Sequence, residues 1–142
     1  MDNTNLTNKI NEILNTSRVG VLSTAYNNVP NSRYMIFYND GNTLYTKTNV
    51  NSIKIDEIES NPRAHILIGY DDTNNRSFLE IDATLSIAQD QETIDWLWQN
   101  QDKSFFDNKT DPELCVVKAQ PQSIKIMNDK TLDEPQTINF ED

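Results

Sequence analysis

The sequence is poor in the side chains from which catalytic and metal sites are most often built. It has one cysteine, Cys115, and one histidine, His65, among 142 residues. A lone cysteine excludes an internal disulfide and a zinc site built from several cysteines. The motifs HExxH and GxGxxG are also absent, and no serine–histidine–acid set appears. These residues therefore identify no protein general acid, general base or nucleophile.

Positive charge is scarce as well. Twelve lysines and arginines stand against 22 aspartates and glutamates, which gives a formal net charge of -10 at pH 7. Non-specific binding to DNA, RNA or an anionic membrane requires a positive face, so the composition argues against all three. An anionic small ligand would need a local cluster of cations, and each arginine or lysine near a structural junction is therefore informative.

Long apolar runs are missing too. No segment approaches the length of a transmembrane helix, and residues 1–5 are polar where a signal peptide would have its apolar core. We therefore expect a cytoplasmic protein. The length fits one domain with a small core, and the chain shows no internal repeat. We expect a single domain over residues 1–128, followed by an acidic, flexible tail over residues 129–142.

The pattern of apolar residues predicts a mainly β fold with short helices. Alternating or continuous β-branched runs indicate strands, whereas apolar residues every three or four positions indicate helices. The helices are expected at 4–16, 52–60 and after a cap at Asp90, and the strands at 19–26, 33–38, 44–48, 63–70, 77–87, 114–119 and 123–127. Most connections are too short for crossover helices, so the sheet should be antiparallel. A six- to seven-stranded β-barrel would remove its edges.

The segment from Arg33 to Lys54 is the first candidate for a binding site. Its alternating runs 33–38 and 44–48 flank an Asp-Gly turn, which is a strong signal for a β-hairpin. The hairpin leads into the helix expected to begin at Ser52. Helix starts bind anions well, because their first N–H groups lack an internal partner and the helix dipole favours negative charge. This segment therefore predicts a phosphate site.

The order of motifs resembles one family in particular. It is similar to the pyridoxamine 5'-phosphate oxidase-like FMN-binding split barrels and, within them, to the short general-stress-protein branch. The resemblance rests on residues 19–25, 30–35 (PNSRYM), 44–48 (LYTKT), 52–54 (SIK), 61–62 (NP), 78–83 (FLEIDA), Trp98, 105–106 (FF) and 111–114 (DPEL). Each motif alone is weak, but their order and spacing together are fairly specific.

The resemblance implies FMN as the cofactor and assigns residues to it. The cofactor-binding residues would be Arg33, Tyr34, Met35, Ile36, Tyr45, Thr46, Thr48, Ser52 and Lys54. Arg33 would reach the phosphate, and the three residues after it would lie against the isoalloxazine. The threonines and Tyr45 would lie beneath the ribityl-phosphate chain, and Ser52 and Lys54 would close on the phosphate. The resemblance also implies a homodimer with the flavin between its subunits.

The chain departs from the family pattern at two places. Ile53 stands where many members have an arginine, which leaves one cation fewer at the phosphate. Lys47 on the preceding strand is a candidate to compensate, although strand alternation would point it away from Thr46 and Thr48. The late Arg-x-His element that true oxidases use for the pyridoxal substrate is absent. The chain is therefore not expected to be a true pyridoxamine 5'-phosphate oxidase.

Three functional readings remain open. The leading one is a flavin-dependent oxidoreductase, whose substrate the sequence does not identify. The second is a non-catalytic protein that binds a flavin or a deazaflavin. The third is a cofactor-free dimeric barrel that acts in protein interaction. The missing cation at Ile53 and the acidic composition are compatible with this reading.

Several single residues have a structural reading beside the functional one. Tyr34 and Tyr45 are equally compatible with barrel-surface aromatics, and Ser52 with a simple helix cap. Trp96 and Trp98 are expected to pack a helix on the barrel or to pack in the dimer, with covering of the flavin from the partner subunit as the alternative. The remaining two residues of note are expected to be structural: His65 as a satisfied core or interface residue, and Cys115 as a small buried hydrophobe.

Overall fold

The computed structural model describes residues 3–49, 55–71, 77–100 and 114–140. Its strands are β1 Val19–Tyr26, β2 Val29–Ile36, β3 Tyr38–Asp40, β4 Thr43–Asn49, β5 Arg63–Ile68, β6 Phe78–Ala88, β7 Leu114–Met127 and β8 Gln136–Asn139; its helices are α1 Asn3–Thr16, α2 Ile55–Ser60 and α3 Gln91–Asn100. The mainly β class with short helices is thus confirmed. None of the described helices is long and apolar enough to span a membrane.

One curled antiparallel sheet organises the fold. Seven strands run in the order β2-β1-β5-β6-β7-β4-β3, and β8 pairs with β7 outside this path. All of these pairings are antiparallel. The sheet forms a half-barrel, as expected for a split barrel. Strands β2 and β3 lie at opposite ends of the order although only Phe37 separates them in sequence, so the curl of the sheet brings its two edges close together.

Strand alternation divides the sheet into two faces. Leu22, Ile66, Ile81 and Ile124 lie opposite one another on four neighbouring strands and are fully buried. We call their side of the sheet the inner face and the opposite side the outer face. Helix α1 adds its buried apolar stripe to the same core. Burial of each such side chain stabilises the fold by about 1.5–3 kcal/mol, so the inner face provides most of the core.

The predicted strand over 33–38 is split at Phe37. Its first part belongs to β2, which pairs with β1 across the two-residue turn Asn27–Asn28. Both turn residues have positive φ, as in the turns that suit the twist of a hairpin. Its last residue begins the short β3, which pairs with β4 around Gly41. The periodic pattern missed the break because Phe37 is itself apolar and buried, so the alternation continues through the bend.

The two strands predicted around Pro121 are one strand, β7. The pairing of β6 with β7 shifts between Asp82, opposite Ser123, and Ala83, opposite Pro121. Gln122 is therefore the extra residue of a β-bulge, where the ladder is already interrupted. A proline cannot donate to a ladder and is tolerated at such a position, so Pro121 marks the bulge and does not end the strand.

The segment after residue 128 contributes a strand that the sequence analysis did not predict. Strand β8 pairs with the second half of β7, and Leu132 and Ile138 pack against the core. The Lys9 Nζ lies 3.3 Å from the Asp129 Oδ2. Burial raises the pKa of Asp129, but hydrogen bonds from Thr131 and Lys9 outweigh it, and the pKa lies below its ordinary value. The flexibility expected for residues 129–142 stays a prediction.

Candidate functional site

A cleft of about 370 Å³ opens between the β1–β2 hairpin and α2. It is lined by Thr24, Ala25, Tyr26, Asn27, Val29, Asn31, Arg33, Glu57, Ile58 and Asn61. The hairpin supplies one wall because the Asn27–Asn28 turn fixes its register, with Arg33 opposite Leu22 and Asn31 opposite Thr24. Arg33 therefore shares the inner face with Leu22, and its side chain enters the cleft beside Thr24.

Arg33 has an incomplete set of hydrogen bonds. Its Nη2 donates to the Thr24 Oγ1 at 3.4 Å, whereas its Nη1 is buried and has no hydrogen-bond partner. A buried donor without a partner costs about 1–3 kcal/mol, and more when it is charged. The arrangement fits an anion that would accept from Nη1.

The opposite wall of the cleft is fixed by the end of α2. The Asn61 Nδ2 donates to the Ala25 carbonyl at 2.9 Å, and the Asn61 backbone N–H donates to the Glu57 carbonyl at 2.9 Å. The helix ends at Ser60, immediately before Asn61-Pro62, as predicted from the restriction that proline places on the preceding residue. Asn61 thus ties α2 to β1 and holds the Glu57 side of the cleft against the hairpin.

The three residues after Arg33 divide between the two faces of β2. Met35 lies opposite Gly20 and packs against the core, so it shares the inner face with Arg33. Tyr34, which is 79% exposed, and Ile36 lie on the outer face. Strand β2 therefore presents Met35 and its two neighbours in opposite directions, and their predicted contact with a flavin ring stays a prediction.

Strand β4 divides its predicted ligands in the same way. Thr46 lies opposite Val117 on the inner face, is 1% exposed, and its Oγ1 has no hydrogen-bond partner. Thr48 follows on the same face, opposite Cys115. Tyr45 points the other way. Because β2 also contacts β4, the unpartnered atoms of Arg33 and Thr46 lie on the inner face of two contacting strands.

Tyr45 packs beneath α3. Its ring centroid lies 5.2 Å from that of Trp96, and the two rings are tilted. Burial raises the pKa of Tyr45, with smaller contributions from Asp40 and Asp90. The surface reading of Tyr45 is therefore wrong, and the packing role expected of Trp96 is confirmed. The predicted cofactor role of Tyr45 stays a prediction.

Lys47 lies on the same side of β4 as Tyr45. Its Nζ is 5.6 Å from the centroid of the Trp98 ring, a cation–π arrangement. Alternation thus directs Lys47 away from Thr46 and Thr48, and the structure gives no support to Lys47 as a replacement for the missing cation at Ile53. Ser52, Ile53 and Lys54 lie outside the described residues.

The remaining single residues have structural surroundings. The His65 Nε2 lies 3.8 Å from the Glu80 Oε1, with both side chains partly exposed on the outer face. Cys115 is buried, and burial raises the pKa of its thiol. Within the described residues, no group of three or more His, Cys, Asp or Glu side chains could hold a metal ion.

Of the ten residues that line the cleft, only Arg33 was predicted as a site residue, and Thr24 and Glu57 are two of those that the sequence analysis missed. Thr24 contacts Arg33 because the hairpin register places them diagonally on one face, and the Asn27–Asn28 turn was a signal for that register. Glu57 lines the cleft from α2. Nothing in the local sequence distinguishes Glu57 from the other acidic residues of α2, since only packing of the helix on the hairpin brings it to the site.

Comparisons with known proteins show the family to which this half-barrel belongs. The family model described as pyridoxamine 5'-phosphate oxidase matches residues 6–128. The chain therefore belongs to the pyridoxamine 5'-phosphate oxidase-like split-barrel family. It is 36% identical to General stress protein 26 of Bacillus subtilis over 129 residues, 90% of this chain and 92% of that protein.

Comparison with solved structures indicates the same family. General Stress Protein 26 from Bacillus anthracis has a TM-score of 0.81 at 30% identity, covering 95% of this chain and 98% of that chain. A Listeria innocua protein described as a putative pyridoxamine 5'-phosphate oxidase has a TM-score of 0.78 at 37% identity, covering 87% and 99%.

Two more distant structures share the fold and carry descriptions that name a flavin. One, from Mesorhizobium loti, is described as a FAD-binding protein; its TM-score is 0.67 at 15% identity, and the match covers 82% of this chain and 89% of that one. The other, from Nostoc punctiforme, is described as a pyridoxamine 5'-phosphate oxidase-related FMN-binding protein; its TM-score is 0.65 at 16% identity, with coverage of 96% and 91%.

Proposed function

We propose that this protein is an FMN-binding split-barrel homodimer that acts as a flavin-dependent oxidoreductase. The observation that carries the proposal is the buried Nη1 of Arg33, which has no hydrogen-bond partner in a cleft of small-molecule size. Arg33 is also the residue that the family motif assigns to the flavin phosphate. An arginine offers a planar fork of N–H donors that matches phosphate oxygens.

The buried hydroxyl of Thr46 supports the same reading. The described residues contain three buried polar side-chain atoms without a hydrogen-bond partner: Arg33 Nη1, Thr46 Oγ1 and, in α1, Asn11 Oδ1. Two of the three therefore fall on residues that the motif assigns to the cofactor. Most buried polar groups in proteins are satisfied, so this coincidence is informative. Arg33 lines the cleft and fits a phosphate, whereas Thr46 does not line it and is 1% exposed, so a contact of Thr46 with the chain of the ligand is part of the proposal.

In this proposal the protein binds and orients the cofactor. Arg33 binds the phosphate, Thr46 and Thr48 hydrogen-bond the chain that carries it, and Met35 limits the access of water from the core side. The residues outside the described ranges that the motif assigns to the phosphate, Ser52 and Lys54, would complete its coordination. Bound FMN would supply the transfer of hydride or electrons.

The proposed homodimer would use the outer face of β1, β2 and β5. Tyr34, Val21 and Leu67 lie opposite one another there, and Val19 pairs with Ile36 in the next row. All except Val21 are large apolar side chains that remain exposed. A contiguous exposed apolar area of this kind commonly marks an interface. A second copy is the occupant that the family resemblance implies.

Tyr34→Asp should convert the dimer to a monomer. The new carboxylate would lie among the exposed apolar residues of the outer face and would be buried in the dimer. None of Val19, Val21, Ile36 and Leu67 offers it a cation, so its burial is unfavourable. Sedimentation equilibrium at several concentrations measures the change. Thr137→Asp is the matched control, since Thr137 is exposed on the outer face of β8 and should leave the dimer intact. A wild-type protein that is monomeric at every concentration would contradict the proposal.

The visible absorption spectrum of the purified protein, followed by titration of FMN fluorescence, tests cofactor binding. We expect a flavin spectrum or saturable quenching at micromolar FMN, and oxidation of a reduced nicotinamide by the loaded protein. Binding without turnover against a panel of donors and acceptors would favour a non-catalytic flavin protein, and preference for a deazaflavin would identify that cofactor. Absence of binding at high FMN concentration would leave the cofactor-free interaction barrel.

A further inference from the structure

The ladder between β1 and β5 ends at the wall of the cleft. Its last pair is Thr24 with Ala64, and the same register would next place Ala25 opposite Arg63, a pair that the ladder does not include. In its place the Asn61 side-chain amide bridges the two strands. Its Oδ1 accepts from the Arg63 N–H at 3.3 Å, and its Nδ2 donates to the Ala25 carbonyl at 2.9 Å. The amide therefore occupies the position of a direct backbone hydrogen bond.

The inserted amide sets the distance between the ends of the two strands. In an uninterrupted antiparallel ladder the Arg63 N–H would donate directly to the Ala25 carbonyl. Both groups face the same gap, because one amide reaches both. A direct bond would bring their nitrogen and oxygen to about 2.9 Å, whereas the amide between them holds them further apart. Asn61 is therefore a spacer at the point where β1 and β5 diverge.

This spacer lies in the wall of the cleft that contains Arg33. Ala25 and Asn61 both line that cleft. Ala25 directly follows Thr24, whose Oγ1 accepts from the Arg33 Nη2 at 3.4 Å. The Asn61 backbone N–H also donates to the Glu57 carbonyl in α2. One residue thus fixes the cleft-lining end of β1 relative to both β5 and α2.

We propose that Asn61 is a positioning residue, whose side-chain amide keeps the Arg33 cleft open for a phosphate-bearing ligand. Without the amide, the ends of β1 and β5 can close through one direct hydrogen bond, which moves Ala25 and its neighbour Thr24 and narrows the cleft. The inference rests on the proposed function, because the ligand is the one proposed there. The role differs from a contribution to folding, since the closed arrangement replaces two side-chain bonds by a backbone bond.

Asn61→Ala should weaken FMN binding and leave the free energy of unfolding nearly unchanged. The apparent Kd of a protein rises in inverse proportion to the population of its binding-competent form. We expect the open form to fall to about a tenth of the molecules, which raises the Kd for FMN about tenfold. The ligand-free fold loses two bonds to one side chain and gains a direct backbone bond, and the net contribution of each such bond is small.

The experiment measures the Kd for FMN by fluorescence titration and the free energy of unfolding by urea without FMN. It compares wild type with Asn61→Ala and with Asn61→Ser, whose shorter side chain cannot reach both backbone groups. Both variants should show the rise in Kd, and both should unfold at nearly the same urea concentration as wild type.

Asn39→Ala is the matched control. The Asn39 Nδ2 also bridges two segments of the chain, since it donates to the Asn15 Oδ1 at 2.9 Å and to the Gly41 carbonyl at 3.1 Å. Asn39 does not line the cleft. Loss of this bridge should therefore leave the Kd for FMN equal to that of wild type, whatever its effect on stability.

The results that would overturn the inference differ in what else they remove. If wild type binds FMN and both Asn61 variants bind it equally well, the spacer has no role in binding while the proposed function stands. If the variants lose stability together with affinity, or neither variant folds, Asn61 supports the fold and does not position the ligand. If only Asn61→Ala fails to fold, the Kd of Asn61→Ser decides. Wild type that does not bind FMN would remove the proposed function and the inference with it.

Discussion

Arg33→Ala should weaken FMN binding about 100-fold without destabilising the ligand-free protein. Hydrogen bonds to a charged group contribute about 1.5–3 kcal/mol each, and about 2.7 kcal/mol corresponds to a 100-fold change in Kd. The ligand-free fold gains little from Arg33, which makes one long hydrogen bond to Thr24 and leaves Nη1 buried without a partner. Removal of this uncompensated group should leave the free energy of unfolding unchanged or raise it.

Two measurements on the same variant separate binding from folding. FMN titration gives the Kd, and urea unfolding without FMN gives the stability. Lys125→Ala is the control for the lost positive charge, because Lys125 is exposed on the outer face of β7 and away from the cleft residues. Arg33→Lys should give an intermediate Kd, since lysine supplies charge without the planar fork.

The outcome distinguishes a binding residue from a structural one. If Arg33→Ala lowers the stability and the FMN affinity together, the guanidinium supports the hairpin and the phosphate assignment loses its basis. If FMN binds to Arg33→Ala as it does to wild type, Arg33 has no contact with the phosphate.

The sequence was sufficient to predict the fold because the signals for its strands, turns and helix ends are local and recur along the chain. The run 19–26, the Asn27-Asn28 and Asp40-Gly41 turns and the Asn61-Pro62 helix end each correspond to a feature of the structure. Their order also identified the family, which the comparisons show. Capping was predicted correctly as well, because the Thr93 backbone N–H donates to the Asp90 Oδ2 at 3.0 Å.

The errors arose where a local pattern is compatible with two arrangements. Alternation continues through Phe37 although the backbone leaves one strand and enters another. Pro121 was taken as the end of a strand because a proline lacks the ladder donor, but a bulge tolerates the same lack. Strand β8 was missed because its residues are mostly polar, and it is recognisable only from its pairing with β7.

The site was less predictable than the fold because it depends on contacts distant in sequence. The motif singled out Arg33 and Thr46, yet their common face follows from the curl that brings β2 against β4. Glu57 reaches the cleft only through the packing of α2. Periodicity predicts which residues share a face of one element, whereas the approach of two elements depends on the packing of the whole core.

Phe37→Ala should be among the most destabilising single substitutions in the chain. Phe37 is 1% exposed, and its backbone N–H donates to the Arg18 carbonyl where the chain passes from β2 to β3. Truncation of a buried phenylalanine costs about 3–5 kcal/mol. For a chain of this size we expect the melting temperature to fall by roughly 10–15 °C. Phe140→Ala, which removes a partly exposed ring near the end of the chain, should change it little.

The close approach of Gly20 to the Phe37 ring provides a sharper test of this packing. A Cβ at Gly20 would lie 3.1 Å from two ring carbons of Phe37 and 2.8 Å from the Leu67 carbonyl oxygen. Gly20→Ala should therefore destabilise the wild type through both contacts, but the Phe37→Ala variant only through the second. Denaturation of the four proteins of this double-mutant cycle, at one protein concentration, should give a smaller cost for Gly20→Ala in the Phe37→Ala background. Equal costs would mean that the ring does not pack on Gly20. The connection between β2, which bears Arg33, and β3 would then be held by other contacts.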